Sequence, residues 1–177
     1  MSDVQRADHP GRLFTAPVTT LLVTSFFSSL SGFIVTPFIA VYLVSHAHVS
    51  VQAAGLYIGF IYWCLTAGSI IDGPLSERFG VKAVMIAGLI IRVPGYLLFL
   101  WADNSALLLL ACLVTGLGGS LYFPTSKATL ILLTPERLRL RAFAVRNMCA
   151  NVGVALGPLL GAVLLHFSPA LLFITAS

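Results

Sequence analysis

Long apolar stretches alternate with short polar segments along most of this chain. A transmembrane helix needs about 20 mostly apolar residues, and five stretches meet that requirement. A sixth apolar stretch is shorter than a span requires. The five predicted spans and the partial sixth cover about residues 17–45, 51–71, 83–101, 106–126, 147–165 and 168–177.

The composition supports a membrane protein. Of the 177 residues, 58% are hydrophobic and only 9% are charged, whereas soluble domains carry roughly a quarter charged residues. This small number of polar side chains cannot cover the surface of a soluble globule. The exterior is therefore expected to face lipid. We therefore predict an all-α, polytopic bundle of membrane helices, residues 13–177, with the lipid bilayer as its solvent and a short polar tail, residues 1–12, before it.

The basic residues outside the spans lie on one side of this predicted topology. Cytoplasmic segments of membrane proteins are enriched in Lys and Arg, which predicts a cytoplasmic N-terminus. The distribution indicates membrane orientation and gives no sign of a nucleic-acid surface. The residues concerned are Arg6 and Arg12 in the tail, Arg78 and Lys82 in one connector, and Arg137, Arg139, Arg141 and the adjoining Arg146 in another.

The sequence contains no pattern typical of an enzyme or of a metal or cofactor site. The three cysteines, Cys64, Cys112 and Cys149, lie in apolar runs at spacings that match no metal motif. No nucleophile and base occupy a recognisable elbow, and no glycine-rich loop is followed by Lys and Ser or Thr. We expect no catalytic residues, no metal and no cofactor.

Two predicted spans carry the same glycine and proline spacing. Gly32 is followed five residues later by Pro37, and Gly119 is followed five residues later by Pro124. In an arrangement of three plus three helices these spans correspond and run in opposite directions. Interrupted helices at matching places of two inverted units point to a substrate path between them. The alternative is that Gly and Pro are simply common in membrane helices.

Two charged residues lie inside or at the edge of predicted spans. Arg92 falls near the middle of the third span, and Asp72 lies at the inner end of the second. An Arg at the centre of a bilayer costs about 2.5–3.5 kcal/mol on insertion scales, so it should face protein or water. We predict a role in charge coupling for both. A purely structural pair, or an Arg capped by carbonyl groups, is the alternative.

The connector at positions 73–82, GPLSERFGVK, resembles motif A of the major facilitator superfamily, the segment between helices two and three of those transporters. Gly73, Glu77, Arg78, Gly80 and Lys82 match that motif. A basic residue is usual where this chain has Val. We expect a sharp turn made possible by its two glycines. The resemblance implies that this gating loop holds the two halves of a transporter together in one conformation. A charged loop that only sets topology is the alternative.

The stretch GVALGPLLGA in the fifth span resembles motif C of the same superfamily, which is associated with drug–proton antiporters. Gly153, Gly157, Pro158 and Gly161 match, and Ala162 stands where a second glycine is usual. The resemblance implies a hinge helix that packs against the other half of the transporter. The fourth span resembles the family's fourth helix, with a cysteine at the position of an Arg that many antiporters use for proton coupling.

These resemblances imply the N-terminal half of a major facilitator fold, with a 3+3 inverted repeat and an incomplete sixth helix. The expected function is proton-coupled efflux of hydrophobic, drug-like molecules from bacteria across the inner membrane, with the C-terminal half missing from this chain. Two alternatives stay open. The protein could transport one specific metabolite, or this chain could be a non-transporting fragment or a regulatory partner of a complete transporter.

Overall fold

The computed structural model of this protein describes residues 14–45, 49–102 and 104–177. The predicted cytoplasmic tail, residues 1–12, lies outside the described residues.

All regular secondary structure within the described ranges is helical, which confirms the predicted all-α bundle. A 3₁₀ turn, Phe99–Trp101, extends the third helix, and another, Glu136–Leu138, precedes the fifth. The first five helices, with these turns included, are long and apolar enough to cross a membrane. The six helices are α1 (Ala16–Ser45), α2 (Val51–Phe79), α3 (Val81–Leu98), α4 (Ser105–Leu133), α5 (Arg139–Phe167) and α6 (Pro169–Ala176).

Polar side chains cap the N-terminal ends of two helices. The Ser50 hydroxyl accepts a hydrogen bond of 3.3 Å from the backbone N–H of Ala53, and so caps α2. The Asn104 side-chain oxygen accepts one of 2.8 Å from the N–H of Leu107, and so caps α4. Each bond satisfies one of the backbone donors that a helix leaves unpaired in its first turn.

The helices are longer than the predicted spans at the end that carries the basic residues. α2 continues to Phe79 and α4 to Leu133, whereas the apolar runs end at positions 71 and 126, and α5 begins at Arg139 instead of at 147. The apolar run fixes how much of a helix lies in lipid. It does not end the helix, because Glu, Arg and Lys are good helix formers.

The expectation of a loop across positions 73–82 is wrong. Residues 73–79 complete α2, and α3 begins at Val81, so Gly80 alone separates the two helices. Its φ of 85° lies in a region that side chains disfavour, and its N–H donates a 2.9 Å hydrogen bond to the carbonyl of Ser76. Gly73, expected to help make the turn, is helical instead.

The packing of the helices follows the internal symmetry that the sequence predicted. α1 packs along α5, and α2 packs along α4. If α1, α2 and α3 are matched with α4, α5 and α6, the α1–α5 contact corresponds to the α4–α2 contact, as a 3+3 inverted repeat requires. α3 packs against α4, and its symmetry counterpart is the contact that the short α6 makes with α1.

Glycines allow α3 and α4 to approach until their backbones touch. A β-carbon at Gly88 would lie 2.8 Å from the carbonyl oxygen of Gly118 and 2.9 Å from the amide nitrogen of Tyr122. One at Gly95 would lie 2.8 Å from the amide nitrogen of Thr115. Membrane helices commonly use small residues for such close contacts, because packing replaces the hydrophobic effect as the driving force.

The outer surface of the bundle is apolar, as lipid contact requires. Large side chains on α2 and α5 are exposed, among them Leu56 at 75%, Ile70 at 78% and Leu159 at 66%. Soluble monomers rarely expose apolar patches of this extent. The exterior therefore faces lipid or a further helical unit.

We predict that Gly88→Ala destabilises the protein, because the added methyl group has no space against α4. Overpacking of this kind costs about 1–3 kcal/mol, and the melting temperature of the purified gene product in detergent should fall. Gly59→Ala in α2 is the matched control, since a β-carbon there meets nothing within 4 Å and Ala is the better helix former by up to about 1 kcal/mol. Equal melting temperatures for the two variants would contradict the close α3–α4 contact.

Candidate functional site

A cavity of about 190 Å³ lies among α1, α2, α3 and α4. Three residues singled out from the sequence, Gly32, Arg92 and Gly119, line this cavity, which we call the central cavity. Pro37 and Pro124, the proline partners of the two glycines, lie in α1 and α4 but are not among the lining residues. The two glycines of the repeat thus line the same cavity, and their proline partners do not line it.

Arg92 projects from the middle of α3 and is only 7% exposed. Its Nη1 donates a 2.8 Å hydrogen bond to the Ser28 hydroxyl on α1, and its Nη2 donates a 2.6 Å bond to the Tyr96 hydroxyl. The guanidinium carbon lies 5.4 Å from the centre of the Tyr96 ring and 5.6 Å from that of Phe123. Cation–π contacts of this kind stabilise a desolvated cation.

Two glycines provide the space that Arg92 occupies. A β-carbon at Gly32 would lie 3.3 Å from Nη2 of Arg92, so the guanidinium sits directly against the α1 backbone. One at Gly118 would lie 2.5 Å from Cγ of Arg92, so the stem of the side chain crosses α4 at a glycine. The backbone of three helices therefore fixes where this charge lies.

Asp72 is the second buried charge and is also 7% exposed. Its carboxylate accepts a hydrogen bond from the Thr125 hydroxyl on α4 and lies 3.5 Å from the hydroxyl of Ser76. The Thr125 oxygen is also within hydrogen-bonding distance of the Leu121 carbonyl. Asp72 therefore connects α2, in the first three-helix repeat, with α4, in the second.

Asp72 and Arg92 do not pair with each other. Within the described ranges, the partners of Asp72 lie on α2 and α4, and those of Arg92 lie on α1 and α3. Each charge is instead solvated by neutral hydroxyl groups. A role of Asp72 in coupling and a role of Arg92 in coupling therefore need separate tests.

Arg146 is a buried charge that the sequence pattern did not single out, because it followed a run of exposed arginines. It lies inside α5 at 6% exposed, and its Nη2 donates a 3.1 Å hydrogen bond to the Ser126 hydroxyl on α4. Its Nε and the nearby Tyr122 hydroxyl have no hydrogen-bond partner among the described residues. The available sequence signal was its helical spacing, four residues after Ala142 and three before Cys149, which are both apolar.

The motif A residues lie at the end of α2 and the start of α3. Glu77, Arg78 and Lys82 are exposed, and Arg78 lies over the ring of Phe79 with 5.4 Å between the guanidinium carbon and the ring centre. Within the described part of the chain, Glu77 makes no hydrogen bond or ion pair. These charges are accessible to a partner surface.

The motif C glycines form one buried face of α5 that packs against α1. A β-carbon at Gly153 would lie 2.7 Å from the carbonyl oxygen of Phe26. One at Gly157 would lie 2.7 Å from Cβ of Phe33, and one at Gly161 would also meet α1. The resemblance implied a contact with the other half of a transporter, but this glycine face is already occupied within the bundle. Pro158, beside it, is half-buried.

Comparison with known proteins agrees with this architecture. The family model described as the Major Facilitator Superfamily (MFS) matches residues 21–177. The multidrug resistance protein MdtH of Aeromonas hydrophila is 30% identical over 164 residues, which cover 93% of this chain and 40% of that protein. MdtH of Yersinia enterocolitica is 32% identical over 167 residues, which cover 94% of this chain and 40% of the relative.

An MFS-type transporter of Mycobacterium tuberculosis is 32% identical over 154 residues, covering 87% of this chain and 36% of that protein. This chain therefore spans well under half the length of the curated relatives it matches. The family match covers nearly all of the described helices, and the buried charges and glycine contacts lie within it. The chain belongs to the major facilitator superfamily and is a multi-pass membrane protein.

Proposed function

We propose that the protein carrying this sequence exports hydrophobic, drug-like small molecules by alternating access, driven by proton entry. The observation that carries this proposal is the central cavity, which is largely apolar and contains the buried charge of Arg92. Resemblance to MdtH, whose name describes multidrug resistance, supports export of more than one compound. The proposal includes no enzymatic step.

Two further elements belong to this proposal. We infer that a second helical half, beyond the 36–40% of the relatives' length covered here, completes the substrate pathway. The exposed motif A charges, Glu77, Arg78 and Lys82, are suited to contact that half and to release it as the transporter changes conformation. The α1–α5 seam at Gly153, Gly157 and Gly161 would let these two helices move as one body.

Asp72 supports proton coupling through the arrangement of its hydrogen bonds. The Thr125 hydroxyl has one proton but lies against two acceptors, Asp72 and the carbonyl of Leu121. An ionised Asp72 can accept a hydrogen bond from this hydroxyl. A protonated Asp72 can instead donate a hydrogen bond to Thr125, whose own hydroxyl then donates to the carbonyl of Leu121. Protonation would therefore reverse a hydrogen bond between α2 and α4 and change how these helices are held together.

The transport proposal predicts that cells expressing the full gene product accumulate less of a panel of hydrophobic drugs than cells without it. Collapse of the proton gradient with an uncoupler should remove the difference, since efflux would lose its driving force. Accumulation can be followed with fluorescent compounds or by mass spectrometry. Equal accumulation across the panel, with and without the gradient, would contradict export.

We predict that Asp72→Asn lowers proton-driven efflux by at least about tenfold, because an amide keeps the size of the side chain but does not carry a proton. Exchange of substrate across proteoliposomes without a gradient should continue, since that process needs no net proton movement. Ser76→Ala is the matched control, because its 3.5 Å contact with Asp72 is long for a hydrogen bond. Full proton-driven activity in Asp72→Asn would remove Asp72 from the coupling step.

We also propose that the protein lies in the bacterial inner membrane with the α2–α3 corner in the cytoplasm. In a variant without native cysteines, Ser105→Cys should react with a membrane-impermeant maleimide in intact cells. Lys82→Cys should react only after the cells are made permeable, because it lies at the opposite end of α3. Both positions are exposed, so a reversed pattern of labelling would show the opposite orientation.

A further inference from the structure

The charge of Arg92 is not neutralised by an acidic side chain in the described part of the chain. The acidic residues described there are Asp72, Glu77 and Glu136. The first is bonded to Thr125, and the other two are exposed near the ends of helices. Burying an isolated charge costs several kcal/mol unless an opposite charge is present. Hydroxyl and ring contacts reduce this cost but leave a net positive charge within the bundle.

Thr115 on α4 also lines the central cavity, but its hydroxyl packs against α3 and does not face the open space. The residue is 7% exposed, and its oxygen would lie 2.5 Å from a β-carbon at Gly95. Arg92 is the one cation among the residues that line the cavity, and it is the group there that can attract an anionic oxygen.

The remaining wall suits an apolar molecule. Phe33, Ile58, Ile61, Leu65 and Phe123 line the central cavity. Binding sites for small molecules typically combine such an apolar wall with a few polar groups that fix the orientation of the ligand.

We propose that Arg92 binds the anionic group of an amphipathic organic monoanion, such as a carboxylate with an aromatic body, and so determines substrate specificity. This inference rests on the proposed transport function and adds the charge of the substrate to it. The planar guanidinium can form two parallel hydrogen bonds to a carboxylate, which the neutral amide of the same molecule cannot match.

A matched set of probes tests this proposal in the purified full gene product. 1-Naphthylacetate carries a carboxylate, 1-naphthylacetamide replaces it with a neutral amide, and 2-(1-naphthyl)ethylamine carries a positive charge on a similar body. Binding can be measured at pH 7 by equilibrium dialysis. The acid should bind at least about tenfold more tightly than the amide, as expected for a charge-assisted pair, and the amine should bind most weakly.

Variants of Arg92 separate charge recognition from structure. Arg92→Gln should abolish the preference for the acid over the amide, and Arg92→Lys should keep part of it. Lys127→Gln, which removes an exposed charge in the last two turns of α4, is the matched control and should leave the preference intact. Size-exclusion chromatography establishes whether each variant is folded. If Arg92→Gln does not fold, the preference for the acid is compared between Arg92→Lys and the unaltered protein.

The outcomes distinguish this proposal from the proposed export function. Equal binding of the acid and the amide, or an equal loss of both in Arg92→Gln, would overturn the anion site. Efflux of the drug panel with no binding of any naphthyl probe would also overturn it while leaving export in place. Conversely, Arg92-dependent binding of the acid without drug efflux would support the anion site and argue against export.

Discussion

The close approach of α4 to two neighbouring helices is the constraint on which the rest of the bundle depends. A β-carbon at Gly116 would lie 2.8 Å from the carbonyl oxygen of Ile61 on α2, and one at Gly118 would lie 2.8 Å from the amide nitrogen of Arg92 on α3. Two glycines on α4 thus bring its backbone into contact with those of α2 and α3. Because van der Waals packing drives helix association in lipid, these contacts fix where the side chains of α2 and α3 meet α4, Asp72 and Arg92 included.

The two buried charges differ from the usual arrangement because neutral groups hold each of them. A direct ion pair in a region of low dielectric would be strong and would hold both partners in one state. Asp72 bonded to Thr125, and Arg92 bonded to Ser28 and Tyr96, leave each charge able to interact with another species. On the proposals above, these species are a proton for Asp72 and a substrate anion for Arg92.

The sequence predicted the helical class, the five long helices and the internal repeat, because apolar length and the spacing of Gly and Pro report them directly. It did not predict that residues 73–79 are helical, since polarity indicates exit from lipid and not the end of a helix. It placed Gly32, Arg92 and Gly119 in candidate sites without showing that they share one cavity.

The inverted repeat relates the α1–α5 and α2–α4 seams in position, but the two seams differ in chemistry. The α1–α5 seam is built on Gly153, Gly157 and Gly161, and the nearest neighbours of these three glycines include no titratable side chain. The α2–α4 seam contains Asp72 and Thr125, whose hydrogen bond would reverse on protonation. Two seams of the same geometry would therefore respond differently to a proton, and the bundle would bend at the α2–α4 seam while α1 and α5 stay together. Such a difference between symmetry-related seams would let proton entry act on one of them, because a ligand shifts a conformational equilibrium only through its differential interaction with the two states.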